Sequence, residues 1–86
     1  MEWSIVWTDQ AARDLSKIDP SIARRIVRKL EQAADNPIRF FVRLVGSDEH
    51  KLRISDDRLL AALDPETRTI VVQRVDHRSR VYERRR

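Results

Sequence analysis

The chain has 86 residues, 18 Lys and Arg against 14 Asp and Glu, 41% apolar residues, one Gly and no Cys. That length allows one domain, residues 1–86, whose thin core buries roughly 60–65% of the unfolded surface. The composition excludes global disorder, disulfides, thiolate metal sites and a membrane span.

Glu2 to Trp7 alternates, with Trp3, Ile5 and Trp7 on one side, which predicts a strand with one apolar face. Thr8 or Asp9 caps a short helix carrying Ala12, Leu15 and Ile18. Asp19-Pro20 opens a second helix: Asp offers a capping oxygen, and Pro loses nothing in the first turn. Ile22, Ala23, Ile26, Val27, Leu30, Ala33 and Ala34 form its apolar stripe, with Arg24, Arg25, Arg28 and Lys29 on the solvated side. Asn36-Pro37 stops it. Residues 38–48 read as a connector with Gly46 at a turn. His50 to Ile54 alternates, turning Leu52 and Ile54 inward and Lys51 and Arg53 outward. Ser55-Asp56-Asp57 reads as a turn, and Arg58 to Leu63 as a central strand buried on both faces. Asp64-Pro65-Glu66-Thr67 suits a type I turn. Thr69 to Val75 is β-branched and predicts another strand, and Arg80 to Tyr82 a short further one. The fold class expected is α+β: an N-terminal strand, then a two-helix hairpin packed on a four- to five-stranded, mainly antiparallel sheet.

Charge is uneven along this order. Residues 1–50 are neutral, while residues 51–86 hold 10 Lys and Arg against 6 Asp and Glu, the whole net charge of +4. Segregated positive charge is a footprint for a polyanion or an acidic partner. Lys51 and Arg53 share a strand face, Arg58 follows across a turn, and His77, Arg78 and Tyr82 close the chain. Gathered at one end of a sheet, they would form a cationic pocket with an imidazole and a phenol. Cleaving RNA at a 2′-hydroxyl needs a proton acceptor, a proton donor and cations on the phosphate. Arg forks match phosphate oxygens and stabilise charge when placed in advance. Lys51, crowded by like charges, is the candidate base. His77 is the candidate acid, since imidazoles exchange protons near neutral pH, and Tyr82 orients or stacks a base. Arg74, Arg80 and Arg84 add candidate RNA contacts. Taken alone, Lys51 and Arg53 also fit the wet face of a half-exposed strand, Arg78 and Arg80 ordinary solvated charges, His77 a hydrogen-bonded structural histidine, and Tyr82 a rim residue packing on the core. His50 and His77 stand far apart without metal-ligand spacing, so no metal or cofactor is expected.

Three stretches then resemble a known family: Lys51-Leu52-Arg53-Ile54-Ser55-Asp56-Asp57-Arg58, Asp64-Pro65-Glu66-Thr67-Arg68-Thr69-Ile70, and Val75-Asp76-His77-Arg78-Ser79-Arg80-Val81-Tyr82. With the element order, they resemble the RelE/ParE toxin superfamily over nearly the whole chain. The resemblance implies a small basic cytoplasmic toxin that enters the ribosomal A site and cuts mRNA there by 2′-hydroxyl attack without a metal. A RelB-like antitoxin wraps such toxins, in a heterodimer or heterotetramer. Lys51, Arg53, Arg58, Arg78 and Tyr82 match family positions for phosphate stabilisation, proton transfer or stacking. Trp3, Ile22 and Ile26 are expected to face the antitoxin.

This sequence departs from the family in places. Gly-Asp-Tyr-Arg is here Ser55-Asp56-Asp57-Arg58, which sets Asp57 beside the expected phosphate site. Val-Gly-His-Arg is Val75-Asp76-His77-Arg78. Glu49 occupies a basic position of the RelE type and is a second candidate base. The ParE branch, which shares the fold and poisons DNA gyrase, is one alternative, and an inactive RNA- or partner-binding module is another. The absence of Cys and of a signal-peptide layout agrees with a cytoplasmic location.

Overall fold

The alternation at the N-terminus yields β1 (Ser4–Trp7) in the computed structural model, which describes residues 2–77. Ile5 and Trp7 pack on the core, while Ser4 and Val6 are exposed. Thr8 takes extended backbone geometry, and its hydroxyl accepts the Ala11 N–H, which starts α1 (Asp9–Ser16). Asp19 does the same for α2 (Pro20–Ala33), accepting from the Ser21 N–H at 2.9 Å. The Ser21 hydroxyl and N–H hold the Asp19 carboxyl below its ordinary range. Both helices bury their apolar stripes against one sheet face, where Ala11, Ile26, Leu30, Leu59, Ile70 and Val75 form the centre of the core. Ile26 is 0% exposed there, so it serves the core and offers nothing to a partner. Trp3 and Ile22 keep part of their surface while packing on the same cluster.

The segment expected as a connector is structured. Pro37 opens the short α3 (Pro37–Phe40), and Val42–Arg43 forms β2. Then follow β3 (Glu49–Ile54), β4 (Asp57–Asp64) and β5 (Thr69–His77). The five-stranded sheet has the order β1-β5-β4-β3-β2, with β1 parallel to β5 and the remaining neighbours antiparallel. The fifth strand is therefore β2; the one expected at Arg80 to Tyr82 lies outside the described residues. The helices cover one face only, so β4 is not buried on both sides as its composition suggested. Leu59 and Ala61 are fully buried, Leu60 and Ala62 half-buried and Arg58 exposed.

A bulge in β5 sets which side chains face out. Leu60 pairs with Arg74, but Ala61 pairs with Val72, leaving Gln73 unmatched. That extra residue lets Val72 and Val75 both point into the core, three apart, and turns Arg74 and Asp76 to the other side. Beyond the end of β1, α1 takes over the edge of β5. The Thr8 N–H donates to the Val72 carbonyl at 3.1 Å. Asp14, 1% exposed, accepts from the Val75 N–H (3.1 Å), Arg74 Nε (3.0 Å) and Gln10 Nε2 (2.8 Å). Burial alone would raise the Asp14 carboxyl, but these donors together outweigh it and hold it below its ordinary value.

The β3–β4 hairpin closes tightly. Ile54 pairs with Asp57, so only Ser55 and Asp56 form the loop, one residue shorter than the sequence suggested. Ser55 sits at φ 56°, a left-handed conformation that costs a residue with a Cβ roughly 1–2 kcal/mol. Ser55→Gly is expected to stabilise the fold by about 0.5–1 kcal/mol, after the added freedom of the unfolded chain is subtracted. A urea midpoint unchanged or lowered by the substitution would contradict this.

Candidate functional site

Register decides which charged residues meet. Glu49, Lys51 and Arg53 alternate along β3 and therefore share the face away from the helices. Arg53 pairs directly with Arg58 on β4, and Lys51 with Leu60. Across the next strand, Arg58 pairs with Asp76 and Leu60 with Arg74. One half of the uncovered face thus gathers Lys51, Arg53, Arg58 and Arg74 together with the acidic Glu49 and Asp76; of these, the sequence spacing puts Lys51 and Arg53 on one face and Arg58 near them. Arg53 and Arg58 are exposed, and Lys51 and Glu49 are half-buried. The other half is small and aliphatic, with Ala62 against Val71 and Val71 against Val6. A chain of phosphates laid along the cationic half would meet two forks directly opposite each other and an ammonium two residues along.

Arg74 belongs to this face by register, but its guanidinium reaches the sheet edge. There it bonds Asp14 at 3.0 Å, and the hydrogen bond raises its pKa further. As an RNA contact it is therefore already engaged. His77 is the clear exception to the predicted cluster. It pairs with Asp57, on the helix side of the sheet, and its Nδ1 donates to the Asp57 carboxylate. Asp57 itself is 1% exposed and also forms an ion pair with Arg25 Nη2 at 3.3 Å. Two expectations change together. Asp57 does not add negative charge beside the phosphate site, and His77 does not stand with Lys51, Arg53 and Arg58. The reason is parity: with the loop one residue shorter, Asp57 falls in the strand, on the same face as Leu59. Arg78, Tyr82, Arg80 and Arg84 lie outside the described residues.

Sequence reasoning missed Asp14 and Arg25 and placed Asp57 on the wrong face. Asp14 lies three residues from Ala11 and four from Ile18, within the buried stripe of α1, and that spacing was its signal. Asp57 had the signal of its even spacing to Leu59 and Ala61. Arg25 gave none, because α2 carries a whole row of basic residues.

On the helix side, α1 and α2 leave an open apolar groove of about 620 Å³ lined by Trp7, Ala12, Leu15, Ile18, Ala23 and Val27. Among the described residues no cluster of three or more His, Cys, Asp or Glu is placed to hold a metal ion. No helix among them is long and apolar enough to cross a membrane.

A five-stranded sheet with a parallel N-terminal edge strand, two helices on one face and a cationic row on the other defines a RelE-like toxin fold. Comparison with known proteins gives the family. Residues 5–82 match the family described as ParE toxin of type II toxin–antitoxin system, parDE. Toxin RelG of Mycobacterium tuberculosis is 32% identical over 87 residues, covering 98% of this chain and 100% of the relative. The toxin–antitoxin complex RelBE2 from the same organism contains a chain that superposes with a TM-score of 0.86 at 31% identity, over 91% of this chain and 100% of that one. The isolated E. coli RelE toxin, at 21% identity, shares the fold with a TM-score of 0.75, over 96% of this chain and 94% of that one. The chain belongs to the RelE/ParE superfamily, the toxins of type II toxin–antitoxin systems.

Proposed function

We propose that this toxin is a ribosome-dependent endoribonuclease that cuts mRNA in the A site by attack of a 2′-hydroxyl on the adjacent phosphate. The observation that carries this reading is the direct pairing of Arg53 with Arg58 on the uncovered sheet face, with Lys51 beside them. Directly opposed like charges destabilise a sheet unless something anionic comes between them; the Asp76 carboxylate stands across Arg58 on the β5 side, the side away from Arg53. A phosphodiester is such a group, and its charge grows as the attacking oxygen bonds to phosphorus. In this reading Arg53 and Arg58 hold the phosphate. Lys51 or Glu49 accepts the 2′-hydroxyl proton as the 2′-oxygen bonds to phosphorus and the P–O5′ bond breaks; the leaving 5′-oxygen takes its proton from Tyr82 or from water, and Arg78 completes the site. His77 has no direct part.

The match to the ParE family favours a second reading, inhibition of DNA gyrase by binding. Purified toxin, added to translating ribosomes and, separately, to gyrase with supercoiled DNA, distinguishes them. Primer extension is expected to show cuts within A-site codons, and gyrase is expected to leave no trapped broken DNA. Intact mRNA with trapped DNA breaks would reverse the assignment. Salt-sensitive RNA binding with neither activity would leave a binding module.

The partner in this proposal is a RelB-like antitoxin, in a heterodimer or heterotetramer, in the cytoplasm. The α1–α2 groove suits the apolar face of an amphipathic antitoxin helix; Trp3 and Ile22, expected to face the antitoxin, do not line it, and Trp3 stands at the other end of α2, its N–H on the Ala34 carbonyl.

A further inference from the structure

The Asp57 carboxylate takes no part in the phosphate chemistry proposed above, yet it lies within one residue of it. Its surroundings would accept an aliphatic side chain: Ile54 is its partner on β3, and Leu59 is the next inward residue on β4. Replacing a buried ion pair by packed apolar groups is often neutral or stabilising, so stability alone does not account for a carboxylate here. Its partners come from two other elements. Arg25, on α2, reaches in from a half-exposed position, and His77 ends β5. One carboxylate thus ties α2, β4 and β5 together. The Asp57–His77 pair is the rung immediately next to Arg58–Asp76, and Arg58 faces Arg53 in the following strand. Repulsion between those two guanidinium groups acts on the end of the β3–β4 hairpin, two residues from its turn.

We infer that Asp57, acting through Arg25 and His77, is a positioning residue: it clamps the strand ends from behind and holds Arg58 opposite Arg53 at the spacing a phosphate needs. This rests on the cleavage reading above. A displacement of about 1 Å at a reacting centre is enough to cost up to 10²-fold in rate. The clamp fixes the backbone that carries Arg58, and the phosphate is met on the opposite face of the same strand.

The test compares Asp57→Asn with Asp48→Asn, which removes the exposed Arg43–Asp48 pair (3.6 Å) as a control. Backbone amide hydrogen exchange and single-turnover cleavage of ribosome-bound mRNA at saturating toxin are both measured. In Asp57→Asn the Arg58 and Asp76 amides are expected to exchange about tenfold faster, with Leu30 and Ile70 unchanged. Cleavage is expected to fall about 10- to 100-fold. Asp48→Asn is expected to match wild type throughout. His77→Gln, which keeps an N–H donor, is expected to recover part of what His77→Ala loses. Should Asp57→Asn fail to fold, Arg25→Gln, made on the helix surface, gives the same readings. Wild-type exchange and cleavage in the clamp variants would overturn the inference. So would a loss of cleavage that comes with uniformly faster exchange over the whole chain. If the wild-type protein cuts no ribosome-bound mRNA, the cleavage reading falls, and the inference falls with it; unaltered local exchange in that case would remove the clamp as well.

Discussion

Arg58→Ala is expected to slow cleavage of ribosome-bound mRNA by about 10²–10³-fold, the usual cost of removing one preorganised donor from developing oxyanion charge. The effect should be in the chemical step. The fork of Arg58 fits two phosphoryl oxygens, and charge builds on those oxygens only as the new P–O bond forms. Lys51 and Arg53 remain to attract the RNA, so binding should weaken far less, with the salt slope reduced by about one phosphate contact. The fold should scarcely notice. Arg58 is exposed, and surface changes of this kind stay within about 0.5 kcal/mol. Removing it relieves the repulsion from Arg53 across β3 and gives up the attraction to Asp76 across β5, two effects of opposite sign. Arg58→Lys keeps the charge and loses the fork, so its rate should fall between the two. Single-turnover primer extension checks the series. An Arg58→Ala protein that cleaves within threefold of wild type would remove Arg58 from the phosphate site.

The strands and helices could be read from the sequence because each carried its own period and caps. Asp19-Pro20 marks α2, and Leu52 and Ile54 mark the inward face of β3. What could not be read turned on single-residue shifts. One residue fewer in the β3–β4 loop moved Asp57 from a turn beside the cations to the interior beneath the helices. One extra residue in β5, at Gln73, allowed two inward valines three apart and set the outward side of Arg74. Neither shift leaves a mark in composition; both arise from how neighbouring strands pair. Residues 38–45 lacked any period, because α3 and β2 are too short to show one. The pair of Lys51 and Arg53 was legible from its two-apart spacing on β3, and Arg58 was legible as a neighbour across the turn; the face Arg58 shares with them follows from the two-residue loop, since a loop of three would set Arg58 opposite Ile54. His77 was not, because its face depends on the bulge, and a lone histidine among arginines gives no parity of its own.

Asp14→Asn is expected to lower stability by about 2–3 kcal/mol, a large share of the roughly 4–13 kcal/mol available to a domain of this size. Asp14 is buried and is the acceptor for three donors from two places in the chain: Gln10 in its own helix, and Arg74 and the Val75 backbone at the edge of β5. The amide has the same shape but only one acceptor oxygen, and its NH₂ would be turned toward donors. Arg74 is half-exposed, so water takes back part of its loss, and the main cost lies at the Val75 N–H, where α1 replaces a missing strand neighbour. The pH dependence has a definite sign. Asp14 is held below its ordinary value of 3.8, so the folded state favours the ionised form. Its contribution is complete above that value and disappears as the pH falls through the lower folded value. Urea unfolding at neutral pH should therefore separate wild type from Asp14→Asn by the full amount. As the pH falls below 3.8 the gap should narrow, because the carboxyl protonates first in the unfolded chain and then, at the lower folded value, in the native state, where it becomes like the amide a neutral group facing the same donors. A gap that stays constant down to pH 2.5 would show that the stabilisation does not come from the ionised carboxylate.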